Sequence, residues 1–306
     1  MDGFIVVDKP VGMTSHDVVS GVRRVARQKK VGHTGTLDPF ATGVLPVALG
    51  EGTKAIPFLD ESVKEYRAFM RLGESTDTQD FTGNIIRRGD WRGLSSGAVE
   101  SAVMSFLGKG TQIPPMYSAI KKDGIPLYKL ARKGEEIHRE PRQMEIYSLV
   151  IEHIDLPDVI FTVRCSRGVY VRTLANDMGD LLGSGAHLTA LRRNASGGFL
   201  LGSAASLHSL ADAAKEGRLS DFLISCHDAL HHMKSLSLDT SGVARVRCGI
   251  PPDQDDCIRI PDAGLYPGER VRLNDDKLLV AVAENGTHTW PTGGGELRLL
   301  RVFNEH

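Results

Sequence analysis

Residues 31–46 read VGHTGTLDPFATGVLP, a glycine-rich loop carrying one carboxylate, Asp38, between two apolar segments. Gly32, Gly35 and Gly43 permit backbone shapes closed to other residues and let a ligand approach the main chain. Pro39 stiffens the chain directly after Asp38 and biases that residue away from the α region. A lone carboxylate on a loop pinned by strands suits catalysis. On local chemistry alone, however, an Asp-Pro step is more often a turn cap. A phosphate cradle is the third reading, and a weak one: the loop lacks both the Gly-Lys-Ser/Thr ending and the GxGxxG spacing.

Working outward, GFIVVD (3–8) has the look of a short buried strand. Thr14-Ser15-His16-Asp17 then offers helix-capping chemistry ahead of Val18, Val19, Val22 and Val25, which are spaced for one apolar face. Val44–Leu49, Tyr66–Leu72, Met144–Ile154 and Val159–Ser166 read as strands. Ser95–Leu107, Tyr170–Leu182 and two stretches within Ser203–Leu230 read as helices. Residues 108–143, rich in Gly, Pro, Lys and Arg with Tyr117 and Tyr128 interleaved, read as a long, mobile surface insertion. After residue 232 short strand-like runs (235–238, 257–260, 270–273, 278–283, 297–303) alternate with turns at Asn274-Asp275 and Asn285-Gly286. The expected organisation is therefore a catalytic unit at 1–232 and a small β domain at 233–306. The fold class is α+β, with a central mixed or antiparallel sheet flanked by helices. We find no internal repeat.

Composition bounds the function. With 41% hydrophobic and 25% charged residues, the chain has material for a sizeable core. No apolar run approaches the roughly 20 residues needed to cross a bilayer. The Met1-Asp2-Gly3-Phe4 start lacks the basic region of a signal peptide, so a cytoplasmic location is expected. Cys165, Cys226, Cys248 and Cys257 show no metal-ligand spacing and read as reduced thiols, so no metal is expected. The net charge of −1 argues mildly against a nucleic-acid partner, but the charge is uneven. Residues 101–150 carry eight Lys/Arg against five Asp/Glu, whereas 251–306 carry six against ten. A local basic surface can bind RNA without a basic protein around it.

Six ordered segments decide what local chemistry leaves open. VVDKPVGMTSHDVV (6–19) and VGHTGTLDPFATGVLPVALGEGTK (31–54), followed by EYRAFMRLGESTDTQDFTG (65–83), PPMYSAIKKDGIPLYKLARKGEE (114–136), CSRGVYVRTLANDMG (165–179) and AHLTALRRNASGGF (186–199), closely resemble the TruB family of tRNA pseudouridine synthases. The resemblance covers nearly all of residues 3–200. It implies a pseudouridine synthase fold in which 108–143 is a thumb-like insertion clamping the T-arm of tRNA. It also implies isomerisation of the T-loop uridine at position 55.

Pseudouridine formation breaks the bond from ribose to base N1, rotates the base and rejoins it through C5. No redox step is needed, so no cofactor is expected. By resemblance the nucleophile is Asp38, although attack on the sugar, attack on the base and removal of a sugar proton all remain open. Arg172 pairs with it, favouring the charged carboxylate and holding its geometry. Tyr66 stacks on the flipped base and takes part in removing its C5 proton. Tyr170 and Leu191 line the uridine pocket. His33 sits near the displaced nucleotides, as an RNA contact and not a general base. Lys9 and Pro10 support the catalytic loop.

Lys121, Lys122, Lys129, Arg132 and Lys133 are expected to meet phosphates, with Arg192 and Arg193 extending that surface. The terminal β domain resembles the PUA-like RNA-binding module on architecture and a GIP turn (249–251), and its acidic balance argues against a strong RNA grip. No obligate protein partner is expected, and a monomer is the default. Two other readings compete: an RNA-guided synthase, against which the insertion argues, and a tRNA-folding chaperone with incidental catalysis, against which intact Asp38, Tyr66 and Arg172 argue.

Overall fold

The computed structural model describes residues 1–262, 264–276, 278–291 and 295–304. Gly3–Lys9 and Thr42–Leu49 form an antiparallel pair whose side chains alternate between two apolar clusters. Ile5, Val7, Leu45 and Val47 face the main core, and Phe4, Val6, Val44 and Ala48 face a second cluster on the opposite side. Burial on both faces explains why these strands read as continuous apolar runs and not as alternating ones.

The pair continues into one mixed sheet in the order Gly3–Lys9, Thr42–Leu49, Ala186–Ser196, Val63–Leu72, Asp158–Ser166, Arg142–Asp155 and Gly108–Gln112. Thr42–Leu49 runs parallel to Ala186–Ser196, and the other pairings along this order are antiparallel. The helix Ser15–Val25 begins at a reciprocal cap between Thr14 and Asp17 and buries Val18, Val19 and Val22. Among the described residues, no helix is long and apolar enough to cross a membrane.

Two sequence expectations need correction. The stretch 108–143 is not all surface insertion: Gly108–Gln112 is an edge strand paired with Arg142–Ile146. GKGTQ has no apolar residue to betray a strand, because its partner's Met144 and Ile146 supply the burial. The insertion proper spans 113–141, with a Lys121–Lys122/Ile125–Pro126 hairpin, a helical turn Leu127–Ala131, and Leu127 as its buried anchor. Within Ser203–Leu230 the two expected helices form, Leu207–Lys215 and the single turn Cys226–Ala229, with an unforeseen 3-10 turn, Leu219–Phe222, between them. Asn274 and Asn285, read as turn residues, lie in the strands Arg270–Asp275 and Leu278–Asn285 and are buried. Asn285 Nδ2 shares its two hydrogens among the carbonyls of Leu265, Tyr266 and His288 at 2.8–3.0 Å.

From Lys234 onward a five-stranded sheet forms, in the order Cys257–Arg259, Lys234–Leu238, Arg270–Asp275, Leu278–Asn285 and Leu297–Val302. A helix absent from the sequence reading, Thr240–Arg247, covers it with Val243 and Val246 under an Asp239 cap. This sheet does not stand apart. Leu279, Val282 and Phe303 pack in one cluster with Phe4, Val6 and Val44, and Arg272 donates to the carbonyls of His227 (2.7 Å) and Met233 (3.2 Å).

Gly43 fixes the crossing of the two parallel strands. Its φ is +98°, and a Cβ there would lie 2.2 Å from the Arg193 carbonyl oxygen. Gly43→Ala should therefore destabilise the protein by about 2 kcal/mol or more. Chemical denaturation measures this, and a loss below about 0.5 kcal/mol would show that the strands can part without cost.

Candidate active site

The Asp38 loop is clamped to the sheet from two sides. On one side, Lys9 is fully buried, and its Nζ donates to the carbonyls of Pro10 (2.8 Å), Met13 (2.6 Å) and Pro39 (3.1 Å). Burial lowers its ammonium pKa to about 8, against the pull of Asp38. Beside it, Ser15 Oγ accepts from Leu37 N (2.9 Å), and Gly12 N donates to the Pro39 carbonyl (2.8 Å). On the other side, Arg193 Nε donates to the Val44 carbonyl (2.7 Å) and Nη2 to the Gly35 carbonyl (3.1 Å). The backbone on both flanks of Asp38 is thus held by a buried cation.

Arg172 lies in the first turn of the helix Val171–Leu181 and is 3% exposed. Its Nε sits 2.8 Å from Asp38 Oδ2, at ion-pair distance but off the hydrogen-bond direction, while Nη2 donates to Oδ1 at 3.3 Å. Nη2 also donates to the Tyr117 carbonyl (2.8 Å) and Nη1 to the Thr78 carbonyl (2.6 Å), with Asp80 Oδ2 at 3.7 Å. About a third of the Asp38 side chain, 35%, remains accessible. The carboxylate is therefore held in place yet open to a reactant. Its surroundings push its pKa above the ordinary aspartate value: burial dominates, and Asp80 adds to it, while Arg172 opposes.

Asp38, Tyr66, Tyr170, Arg172 and Leu191 line one cavity of about 380 Å³, within the size range of small-ligand sites. Tyr66 stands on Val63–Leu72, opposite Val163 on one neighbouring strand and Arg193 on the other. Burial raises its phenol pKa and the adjacent Arg193 guanidinium lowers it. Tyr170 caps the Arg172 helix. Its backbone is gripped at both ends by the Gln112 amide, which accepts from Tyr170 N at 2.8 Å and donates to Tyr170 O at 3.1 Å. Ser118, Ala119 and Ile120 of the insertion complete the wall.

His33 is half-buried beside the cavity and is not part of its lining. Its Nδ1 accepts from Gly35 N at 3.3 Å, and burial, then Arg193, lowers its pKa. Lys121, Lys122, Lys129, Arg132 and Lys133 are exposed on the insertion, Arg132 lying over the Tyr128 ring at 5.5 Å. Arg192 is partly exposed and pairs with Asp8 at 2.7 Å. Arg193, expected on that surface, is 1% exposed and points into the protein. On a strand, consecutive residues take opposite faces, so the two arginines cannot share one surface. Sequence reading also missed Gln112, Glu61 and Lys64. Glu61 and Lys64 line the cavity as a 3.6 Å ion pair, and neither belongs to a chemical motif.

Residues 23–171 match the family model for the N-terminal domain of TruB family pseudouridylate synthases, and residues 172–231 match that for the tRNA pseudouridylate synthase B C-terminal domain. The chain belongs to the TruB family. It is 58% identical to a tRNA pseudouridine synthase B of Geobacter sulfurreducens, over 99% of this chain and all of that one. A tRNA pseudouridine synthase B of Geotalea uraniireducens is 56% identical, over 99% and 98%. Among solved structures, a chain of a Cbf5-Nop10-Gar1 complex superposes with a TM-score of 0.76 at 29% identity, covering 99% of this chain and 85% of that one. The pseudouridine synthase fold expected from the TruB motifs is thus the fold observed.

A carboxyl whose pKa is raised holds its proton to higher pH. Ionising Asp38 in the folded protein therefore costs stability, and that cost appears as pH rises through the raised value. Site-resolved carboxyl NMR should give Asp38 a midpoint above the ordinary ~3.9, and Arg172→Gln should move it higher. A midpoint at or below the ordinary value would mean that the Arg172 pair outweighs burial.

Proposed function

We propose that this chain converts the T-loop uridine of tRNA, position 55, to pseudouridine without a guide RNA or an obligate protein partner, using Asp38 as the nucleophilic carboxylate. The observation that carries this reading is the Asp38–Arg172 pair, fixed at the wall of a cavity that also presents Tyr66, Tyr170 and Leu191. The naming of full-length relatives as tRNA pseudouridine synthases B supports the choice of RNA.

A target uridine stacked in the T-loop must leave its stack to enter a recessed site such as this one. The Tyr66 and Tyr170 rings and Leu191 offer the flipped base an apolar slot, while Arg172 aims Asp38 and opposes the protonation that burial favours. His33, beside the loop, is placed for the nucleotides that the flipped base leaves behind. The exposed lysines of the insertion offer phosphate contacts, and the same insertion closes the cavity through Ser118 and Ile120. The net reaction is an isomerisation, so neither electrons nor a group carrier need be supplied.

Incubating the purified full chain with an unmodified T-arm hairpin, without guide or cofactor, and then mapping pseudouridine, tests the proposal. We expect product at the single T-loop uridine and at least a roughly 10³-fold loss of rate in Asp38→Asn with binding retained. Product only when guide RNA is added would overturn guide independence. Asp38→Asn activity near wild type would remove Asp38 from the chemistry. Retained tRNA folding by Asp38→Asn, with biological function intact, would favour the chaperone reading.

Replacing Lys121, Lys122 and Lys129 by Gln should flatten the slope of log affinity against log salt by about 2, since each phosphate contact releases counterions. An unchanged slope would take the insertion out of the RNA interface.

A further inference from the structure

Detaching uracil from ribose breaks the C1′–N1 bond, and in the routes through the sugar its electron pair passes to the ring. Asp38 meets the electron deficit on the sugar, by bonding C1′ or by taking the C2′ proton. The uracil is left with a negative charge shared among N1, O2 and O4. In a cavity walled by protein, with its water displaced by the bound nucleotide, that charge needs a fixed partner.

The cations around the cavity are not equally free to supply one. Arg172 is engaged by Asp38, with Asp80 close behind. Lys64 donates to Ser196 Oγ at 2.7 Å and lies 3.6 Å from Glu61. Arg167 pairs with Glu61 at 3.2 Å, and its side chain is 72% exposed. Lys9 is turned onto three carbonyls outside the cavity lining.

Arg193 differs from all of these. It is almost wholly buried and lines the cavity. Its neighbours are the carbonyls of Val44 and Gly35 and the Tyr66 phenol, and no carboxylate lies within ion-pair distance among the described residues. A buried guanidinium whose hydrogen bonds go to neutral carbonyls, with Glu61 in the same wall but beyond ion-pair distance, is left short of charge compensation until an anion arrives.

We propose that Arg193 is a catalytic residue that stabilises the detached uracil as an anion, so that Arg172 serves the nucleophile and Arg193 the leaving base. This rests on the reading of the cavity as the place where uridine is cleaved.

The test is single-turnover consumption of T-arm hairpins carrying uridine or 5-fluorouridine at the target, read as loss of the N-linked base. The enzymes compared are wild type, Arg193→Gln, Arg193→Lys and Asp38→Asn. Fluorouracil holds a negative charge more easily, so it needs the cation less. We expect Arg193→Gln to slow uridine by about 10²–10³-fold with hairpin affinity within about threefold, and to slow 5-fluorouridine at least about tenfold less.

Arg193→Lys, which keeps the charge but loses the fork onto Gly35 and Val44, should stay within about tenfold of wild type. It also serves as the readout should Arg193→Gln fail to fold. Equal slowing of both substrates, or Lys falling as far as Gln, would assign Arg193 to holding the loop and overturn the proposal. If Asp38→Asn still cleaves uridine at the wild-type rate, the underlying reading of the site falls. If Asp38→Asn is inactive while Arg193→Gln is unimpaired, only the inference about Arg193 falls.

Discussion

The buried guanidinium of Arg172 joins four segments far apart in sequence: its own helix, the Asp38 loop, the turn bearing Thr78 and Asp80, and the insertion through the Tyr117 carbonyl. A charge at 3% exposure is costly unless it is paired, and here both Nη atoms donate while Nε keeps only its ion-pair contact with Asp38. Removing one partner of such a pair typically costs several kcal/mol. The insertion therefore does more than present lysines to a polyanion. One of its carbonyls is part of the shell that orients the carboxylate, so an enzyme with the insertion displaced would have a less well aimed Asp38.

The sheet makes this convergence possible. Because Gly3–Lys9 and Thr42–Leu49 are buried on both faces, their ends are well supported, and the turns that leave them can hold Lys9 and the Asp38 loop in place. The second apolar cluster, which rigidifies them from behind, includes Leu279, Val282 and Phe303. The terminal sheet is thus part of what holds the loop, whatever it contributes to RNA binding. This accounts for an acidic segment docked so firmly on an RNA-modifying enzyme.

Much of this was legible in the sequence. Runs such as VVDKP and the valines of Ser15–Val25 announce their elements because burial on a sheet or helix face leaves a period in the residues. The reading of Asp38 as a nucleophile came only through the family motifs, since its local chemistry is more often that of a turn cap. Gly108–Gln112 was hidden because an edge strand can be held by backbone pairing alone, with no apolar signature. Arg193 was misplaced for a related reason. Nothing in ALRRN says that the second arginine finds its partners in carbonyls 149 and 158 residues away. Tertiary capping of a buried charge leaves no local trace.

Arg193 and Asp38 also show why the site is not at its stability optimum. Asp38 is partly desolvated with its pKa raised, and Arg193 is buried without a counter-carboxylate among the described residues. Each could be stabilised by pairing with the other, and the fold keeps them apart: Arg172 takes Asp38, and the carbonyls of Gly35 and Val44 take Arg193. If Arg193 serves the leaving base as proposed, a direct pair would neutralise both groups and leave neither field for a reacting uridine. On that reading, holding them on separate supports costs stability in the empty site that is recovered only when charge separates between them.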